Sequence, residues 1–445
     1  MSATLSSRAS VHQGAVSKAA AGSTPEQRRR AVYAGGIGSL VEYYDFGVYG
    51  YVATTIAIQF FPTSSPTAGL LSTLAVFAIA FVARPLGSIL FGHIGDRHGR
   101  KPALAISVIM MAIATFGIGC LPTYETIGVA APLLLVIMRL AQGLSAGGEV
   151  SGSAAILAET ALPNRRGFLT SATQVGSLSG LLLASAVVGI INWVLTPEQF
   201  TAWGWRIPFL LGILTGFVGL WVRIRLQEAE AFKRVEQTGK VAELPVVEVF
   251  RTNSVNIAKA FGLTAINFAA YYTVFVYLSI YLQTVGTLTK AQATFSTTTT
   301  IAIAAVALVF FGLLSDIIGR KLVIGGSALG FLVLTIPAFK IMQGDNLPLI
   351  FGAQVVLGLL EAAIMGAIWA ALAELFPTRV RYSGIGLGFN LAGVFVGGSA
   401  PYISTWLIQA TGDKISPAYF LMAVSVITLA TLMTVPETAK KAMPE

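Results

Sequence analysis

The chain has 445 residues and a net charge of +9; it is 55% hydrophobic, only 11% charged, and has a mean hydropathy of +0.76. Soluble domains usually carry about 25% charged residues. This composition therefore excludes a disordered protein, a nucleic-acid-binding domain and most soluble enzymes.

A bilayer span needs roughly 20 apolar residues. The charge-free runs 167–197, 260–289, 291–315 and 382–412 meet that length and read as transmembrane helices. Residues 1–31 are polar, rich in Ser, Ala and Thr, and end in Arg28-Arg29-Arg30, which reads as a disordered cytoplasmic tail. Twelve spans follow, near 32–60, 68–91, 102–121, 127–153, 168–195, 206–226, 257–284, 292–315, 322–341, 348–373, 384–409 and 417–436. The longest connection, 227–256, is charged and splits them into an N-terminal bundle (32–226) and a C-terminal bundle (257–436), with a short tail at 437–445. The expected fold is an all-α integral membrane protein with twelve helices in two six-helix pseudo-symmetric halves. With the N-terminus inside, only Arg206, Lys290, Lys340 and Lys414 among the loop and tail cations fall outside, so both termini are expected in the cytoplasm. The single Cys120 excludes an internal disulfide and reads as a small buried thiol.

Charged groups within spans are costly, so each requires a reason. In span one, Glu42 and Asp45 share a helix face that Tyr49 continues. Arg84 lies in span two, and Arg139, Gln142 and Glu149 share a face of span four. A proton-coupled carrier needs a buried carboxylate and a partner that competes with its proton. Asp45, Glu42 and then Glu149 are the expected protonation residues, with Arg84 and Arg139 as anion-binding or switching residues. The alternative is a fixed buried ion pair locking the helices together. For Arg139 and Glu149 the two readings balance. Glu361, followed by Met365 and Trp369, reads as a structural residue near the outer water boundary. In the second half Asn267, Tyr271 and Phe275 recur every four residues beside Tyr272, and Gln174 and Asn390 are lone polar groups in apolar helices. Asn267, Tyr271, Gln174, Asn390, Gln142 and Tyr49 are the expected substrate-cavity residues, whereas Tyr277 and Tyr281 read as packing. Gly143, Gly147, Gly148 and Gly152, and the glycines from 384 to 398, suit close helix approach.

The halves echo each other. Residues 92–101 read Gly-His-Ile-Gly-Asp-Arg-His-Gly-Arg-Lys, and 312–321 read Gly-Leu-Leu-Ser-Asp-Ile-Ile-Gly-Arg-Lys. Glu159 with Arg165-Arg166 is likewise matched by Glu374 with Arg379 and Arg381. Repeated halves around a midplane site are the architecture of secondary transporters.

On these residues the sequence resembles the major facilitator superfamily, and within it the metabolite:proton symporter branch of proline/betaine, α-ketoglutarate, citrate and shikimate carriers. The matching pieces are the 92–101 loop, Glu42-Tyr43-Tyr44-Asp45-Phe46, Arg84-Pro85-Leu86-Gly87, Gln142-Gly143 through Gly147-Gly148-Glu149, and the Trp203–Phe209 stretch. Gly38-Ser39 and Val150 depart from that pattern near the expected cavity, so no cargo is carried over from a named relative. The resemblance implies a gating network of Asp96, Arg97, Arg100, Glu159 and Arg165 with Asp316, Arg320, Glu374 and Arg379, pairing and parting as the carrier alternates.

Two intramembrane arginines with three acids, taken with the resemblance, lead to the expectation of a proton-coupled importer of a small carboxylate. The alternatives are a symporter of a zwitterion such as proline or betaine, whose cation an aromatic cage would hold, and an exporter on the same fold. No catalytic constellation, metal cluster or nucleotide loop points to an enzyme. Neither cofactor nor nucleic acid is expected. The partners are the solute, protons and lipid, and a functional monomer in a bacterial inner membrane is expected.

Overall fold

The computed structural model describes residues 25–98, 100–147, 154, 157–159, 161–162, 164–225, 252–377, 381–441 and 443–444. Most of the expected linker and most of the N-terminal tail lie outside them. The first half contributes α1 (Pro25–Tyr51, prolonged by Ala53–Phe60), α2 (Pro66–His98), α3 (Arg100–Cys120), α4 (Ala130–Ala146), α5 (Arg166–Val194) and α6 (Ile207–Arg225). The second contributes α7 (Ser254–Thr284), α8 (Lys290–Ile318), α9 (Arg320–Ile341), α10 (Leu347–Leu375), α11 (Arg381–Ala392, continued to Ala400–Thr411) and α12 (Ser416–Thr434). Among the described residues nine helices are long and apolar enough to cross a membrane, and apolar stretches of α3 and α4 are shorter. Charged α1 completes the twelve expected spans. It starts at Pro25, so the last residues of the expected disordered tail are already helical.

The lipid-facing surface is apolar, with Ile113, Trp193, Phe217, Phe310 and Phe395 exposed. Without water at membrane depth, such side chains are solvated by acyl chains, and only helices satisfy every backbone group. Cys120 is exposed at the end of α3, contrary to the buried thiol expected. A helix end at the rim of a bundle offers no neighbour to cover it.

The same pairings recur in both halves. Helix α1 packs on α5, α2 on α4 and α3 on α6; α7 packs on α11, α8 on α10 and α9 on α12. Helices α5 and α8 join the halves. Helix α7 is buried along its whole apolar window, the position of a cavity helix.

Two features shape the centre. A Cβ on Gly143 would strike the Ala80 carbonyl, and one on Gly147 would strike the Arg84 carbonyl, so glycine sets how closely α4 approaches α2. The Ser88 hydroxyl donates to the Gly147 carbonyl across this contact. Gly147→Val is expected to force α2 and α4 apart at a cost of about 1–3 kcal/mol, read as a lower melting temperature in detergent. Second, α7 widens over Thr273–Tyr277 and α11 over Gly393–Gly397 into i→i+5 turns, seen in the Gly398 N–H to Gly393 carbonyl bond of 2.9 Å. Such turns concentrate at functional sites, and the first follows Tyr271 and Tyr272 directly.

Candidate functional site

Helices α1, α2 and α4 place their charges in one buried cluster. Glu42 pairs with Arg84 at 2.9 Å, both side chains essentially out of solvent. The Arg84 guanidinium lies over Phe46 and Phe81, 4.5 and 4.4 Å from the ring centroids. Arg139 lies over Phe46, Tyr49 and Phe77 at 4.9, 4.3 and 5.2 Å. Its guanidinium donates to Gln142 Oε1 at 2.9 Å and to the Phe77 carbonyl at 3.3 Å. Gln142 Nε2 donates to Thr115 Oγ1 at 2.7 Å, and that hydroxyl donates to Asp45 Oδ2 at 2.6 Å. A polarised relay thus runs from Arg139 to Asp45, and Thr115, which the sequence did not single out, is its middle link. Tyr49 donates to the Thr73 carbonyl at 3.0 Å, so its ring is fixed beneath Arg139. Buried ions are tolerable only with partners such as these. The aromatic faces add cation–π attraction in a dry setting.

An aromatic layer spans the two halves above this cluster. Tyr43 of α1 meets Tyr271 of α7 at 5.3 Å, and Phe77 and Phe81 of α2 meet Tyr272 at 5.6 and 5.2 Å. Phe268 stacks parallel to Tyr272 at 6.3 Å and touches Phe389 of α11, which meets Trp369 of α10 at 4.6 Å. Asn267 Oδ1, the Tyr271 hydroxyl and Trp369 Nε1 are buried and make no hydrogen bond among the described residues. Buried polar atoms are normally satisfied, so this concentration marks where a solute's polar groups would be read. Glu361 joins it: it is fully buried in the middle of α10, not at the outer water boundary, and neither oxygen meets a donor among the described residues. Gln174 is buried on α5, and Asn390 donates to Ser88 Oγ at 3.2 Å, linking α11 to α2. Tyr281 is held by the Lys414 carbonyl at 3.0 Å, consistent with packing.

The inner end, named from the orientation expected above, is tied across the halves. Asp316 of α8 accepts the Gly167 and Phe168 N–H groups at 2.9 Å each, capping α5 from the other half with a negative charge at its positive end. Arg320 pairs with Asp316 at 2.7 Å and with Glu374 at 3.4 Å. Arg166 reaches Glu374 at 3.2 Å, and Arg381 reaches Glu159 at 2.7 Å. Among the described residues the arginines that pair across the halves are therefore Arg166 and Arg381. Arg165 instead lies exposed at the start of α5, where the helix turns its side chain away from the interface. Arg379 and Glu149 lie outside the described residues, as do the side chains of Asp96, Arg97 and Arg100.

The C-terminal tail straps this network. The Lys441 carbonyl accepts from Arg166 at 2.9 Å, the Pro444 carbonyl from Arg381 at 3.1 Å, and Thr438 donates to Glu374 at 2.6 Å. Glu437 accepts the Arg320 and Lys321 N–H groups, each at 3.0 Å, capping α9. Burial pushes the Glu437 carboxyl up, but backbone N–H groups of Ala439, Lys321, Arg320 and Thr438 outweigh it and hold the group below the usual carboxylate range. A depressed folded value means this tail contact is fully formed above the unfolded value of about 4.3 and is lost as pH falls through the lower, folded one. Hydrogen exchange over 437–441 is expected to accelerate only below that window, and Glu437→Gln to accelerate it at neutral pH.

Residues 32–238 match the family model for "Sugar (and other) transporter", and residues 260–444 match that for the "Major Facilitator Superfamily". The glycine betaine/proline/ectoine/pipecolic acid transporter OusA of Dickeya dadantii is 36% identical over 429 residues, covering 93% of this chain and 84% of the relative. The proline/betaine transporter of Salmonella typhimurium is 34% identical over 427 residues with the same coverage. Among solved structures, the partially occluded inward-open xylose transporter XylE from E. coli superposes with a TM-score of 0.73 at 19% identity, covering 93% of this chain and 99% of that one. At that identity it is the fold that is alike.

Proposed function

We propose, from the premise that this chain belongs to the major facilitator superfamily and to a proton-symporter branch of it, that it imports a small zwitterion such as proline or glycine betaine with a proton. It is a multi-pass membrane transporter and not an enzyme. The plain carboxylate that the two arginines suggest becomes the second choice. The relatives that match 93% of the chain are named for proline and betaine, and the second half offers aromatic faces suited to a cationic nitrogen.

The observation that carries the mechanism is the buried Glu42–Arg84 pair at 2.9 Å, set against the aromatic layer that joins the halves. A solute carboxylate that enters here competes with Glu42 for Arg84. Glu42, displaced into an apolar setting, then takes a proton, so solute and proton load together. Asp45, at the end of the relay from Arg139, is the second protonation residue. With both loaded, the core carries one more positive charge, that of the proton, because the zwitterion adds none, and the halves can rock about the site. The inner network of Arg166, Asp316, Arg320, Glu374, Arg381 and Glu159 parts when the site opens inward. The carrier works as a monomer in the inner membrane, with both termini and this network on the cytoplasmic side.

The test is uptake into proteoliposomes under an imposed inward proton gradient. Labelled proline, betaine, α-ketoglutarate, citrate and shikimate are each measured with and without a protonophore. Protonophore-sensitive accumulation of proline or betaine is expected. Accumulation of an acid alone would return the cargo to the carboxylates, and accumulation indifferent to the protonophore would remove the proton from the mechanism.

A further inference from the structure

Among the described residues, Glu361 is the acid of the membrane interior that symport on α1 leaves without a task. It sits midway along α10, has no measurable exposure, and neither carboxylate oxygen meets a donor or a cation among the described residues. The other buried acids of the core are answered: Glu42 by Arg84, and Asp45 by Thr115. An unanswered carboxylate at membrane depth is expensive, whereas the other buried polar groups of α10, Gln354 and Glu374, have partners. One turn before Glu361, Gly358 of α10 packs against Phe275 of α7. The Tyr271 ring packs on Phe275 at 5.5 Å and on Tyr43 at 5.3 Å. Tyr271 also meets Tyr272 at 5.1 Å, and Tyr272 meets Phe81, the ring under Arg84, at 5.2 Å. One continuous path of ring contacts therefore runs from Arg84 in the first half to the turn of α10 that precedes the Glu361 carboxyl in the second.

We propose that Glu361 is the binding group for the cationic nitrogen of the solute, with the Tyr271 and Tyr43 rings as its side walls, and that this second pole is what selects zwitterions over plain carboxylates. The inference rests on the zwitterion reading of the cargo. Arg84 holds the solute carboxylate from the first half, and Glu361 holds the nitrogen from the second. A zwitterion spans the interface and draws the halves together. A plain carboxylate satisfies Arg84 but leaves Glu361 buried without a partner, and a site whose charged group is left unpaired rejects the ligand that leaves it so. The proton travels on the acids of α1, so Glu361 sets affinity and selectivity and not the coupling ratio.

The discriminating probe is 3,3-dimethylbutyrate, which has the shape of glycine betaine with a carbon in place of the nitrogen. Both compounds are measured as competitors of labelled betaine binding to the purified protein. The native carrier is expected to prefer betaine by about a hundredfold, the scale of losing one buried charge partner. In Glu361→Gln the preference should shrink to about tenfold or less, the share left to the aromatic faces, while the proton-to-solute ratio of the remaining uptake is unchanged. Glu361→Asp keeps the charge and should keep most of the preference with weaker binding overall; it carries the test if the glutamine variant fails to insert. Undiminished preference in Glu361→Gln, with native preference intact, would overturn the role of Glu361 and leave the cargo reading standing. Intact binding with accumulation lost would make Glu361 a proton carrier and overturn the proposal differently. Equal binding of betaine and its isostere by the native protein would sink the zwitterion reading itself.

Discussion

Arg84→Ala is expected to abolish measurable binding of proline and betaine and to destabilise the protein, and the two effects separate in a second variant. Arg84 holds Glu42 at 2.9 Å with both groups buried. Removing the arginine alone leaves an isolated buried carboxylate, a loss of about 3–5 kcal/mol. A binding defect in that variant would be ambiguous by itself. Glu42→Gln with Arg84→Met removes both charges and keeps roughly the same bulk between Phe46 and Phe81. Replacing a buried pair by well-packed neutral groups is often neutral or stabilising, so the double variant should melt near the native temperature. It should nevertheless bind zwitterions at least about a hundredfold more weakly, because the solute carboxylate then enters a site without its cation. Arg84→Lys should fall between. It keeps the charge but loses the planar fork that lies within 4.5 Å of both ring centroids. Calorimetric or scintillation binding in detergent, with melting curves on the same samples, checks all three. Native-like binding by the double variant would make Arg84 a structural residue and move the anion pole to Arg139.

The twelve spans are legible in the sequence because membrane burial writes itself into local composition: a charge-free run of about 20 residues seldom serves any purpose but crossing a bilayer. The charged cluster of α1, α2 and α4 is legible for the same reason, since a charge in such a run must have a use. Glu361 carries the same signal, yet its expected place at the water boundary was wrong. It lies midway in the expected span 348–373, about 20 Å from either end at 1.5 Å per residue. That arithmetic alone removes it from the water boundary. What spacing could not supply was the missing partner, because a lone acid and a paired one look identical in one sequence. The inner network shows a different limit. The two loop echoes locate it, but helix phase decides whether Arg165 or Arg166 points across the interface, and one residue turns a side chain by about 100°. Contacts between distant segments leave no local pattern at all. Nothing in the sequence near Asp316 announces that it caps α5, and nothing after Pro436 announces that the tail returns to Arg166 and Arg381.

These contacts also explain why charge pairs at the inner end and in the core play unlike parts. At the inner end two acids have several donors: Glu374 receives Arg166, Arg320 and Thr438, and Asp316 receives two backbone N–H groups besides Arg320. Such shared pairing loses little when one contact shifts, which suits a latch. In the core, Glu42 and Arg84 pair directly with each other, and a competitor for either member releases the other, which suits a sensor of the solute.

Asp45→Asn is expected to separate exchange from accumulation. Asparagine keeps the size of the side chain, and its amide oxygen can accept the Thr115 hydroxyl as Asp45 Oδ2 does at 2.6 Å. The relay from Arg139 through Gln142 and Thr115 therefore keeps its geometry, and the fold should hold. What is lost is a site that gains and releases a proton. One proton falling through 100 mV supplies about 2.3 kcal/mol, enough for roughly a fiftyfold solute gradient. If Asp45 carries that proton, the variant should reach a solute ratio near one under the same potential, while counterflow of labelled against unlabelled betaine continues at a near-native rate. Glu42→Gln is the necessary comparison. It too removes a protonatable group, but it frees Arg84, so solute binding should tighten as accumulation falls. Full protonophore-sensitive accumulation by Asp45→Asn, together with its loss in Glu42→Gln, would reduce Asp45 to an anchor for Thr115 and leave Glu42 as the sole carrier of the proton. Accumulation surviving in both would place coupling outside α1 altogether, and Glu361 would be the next acid to change.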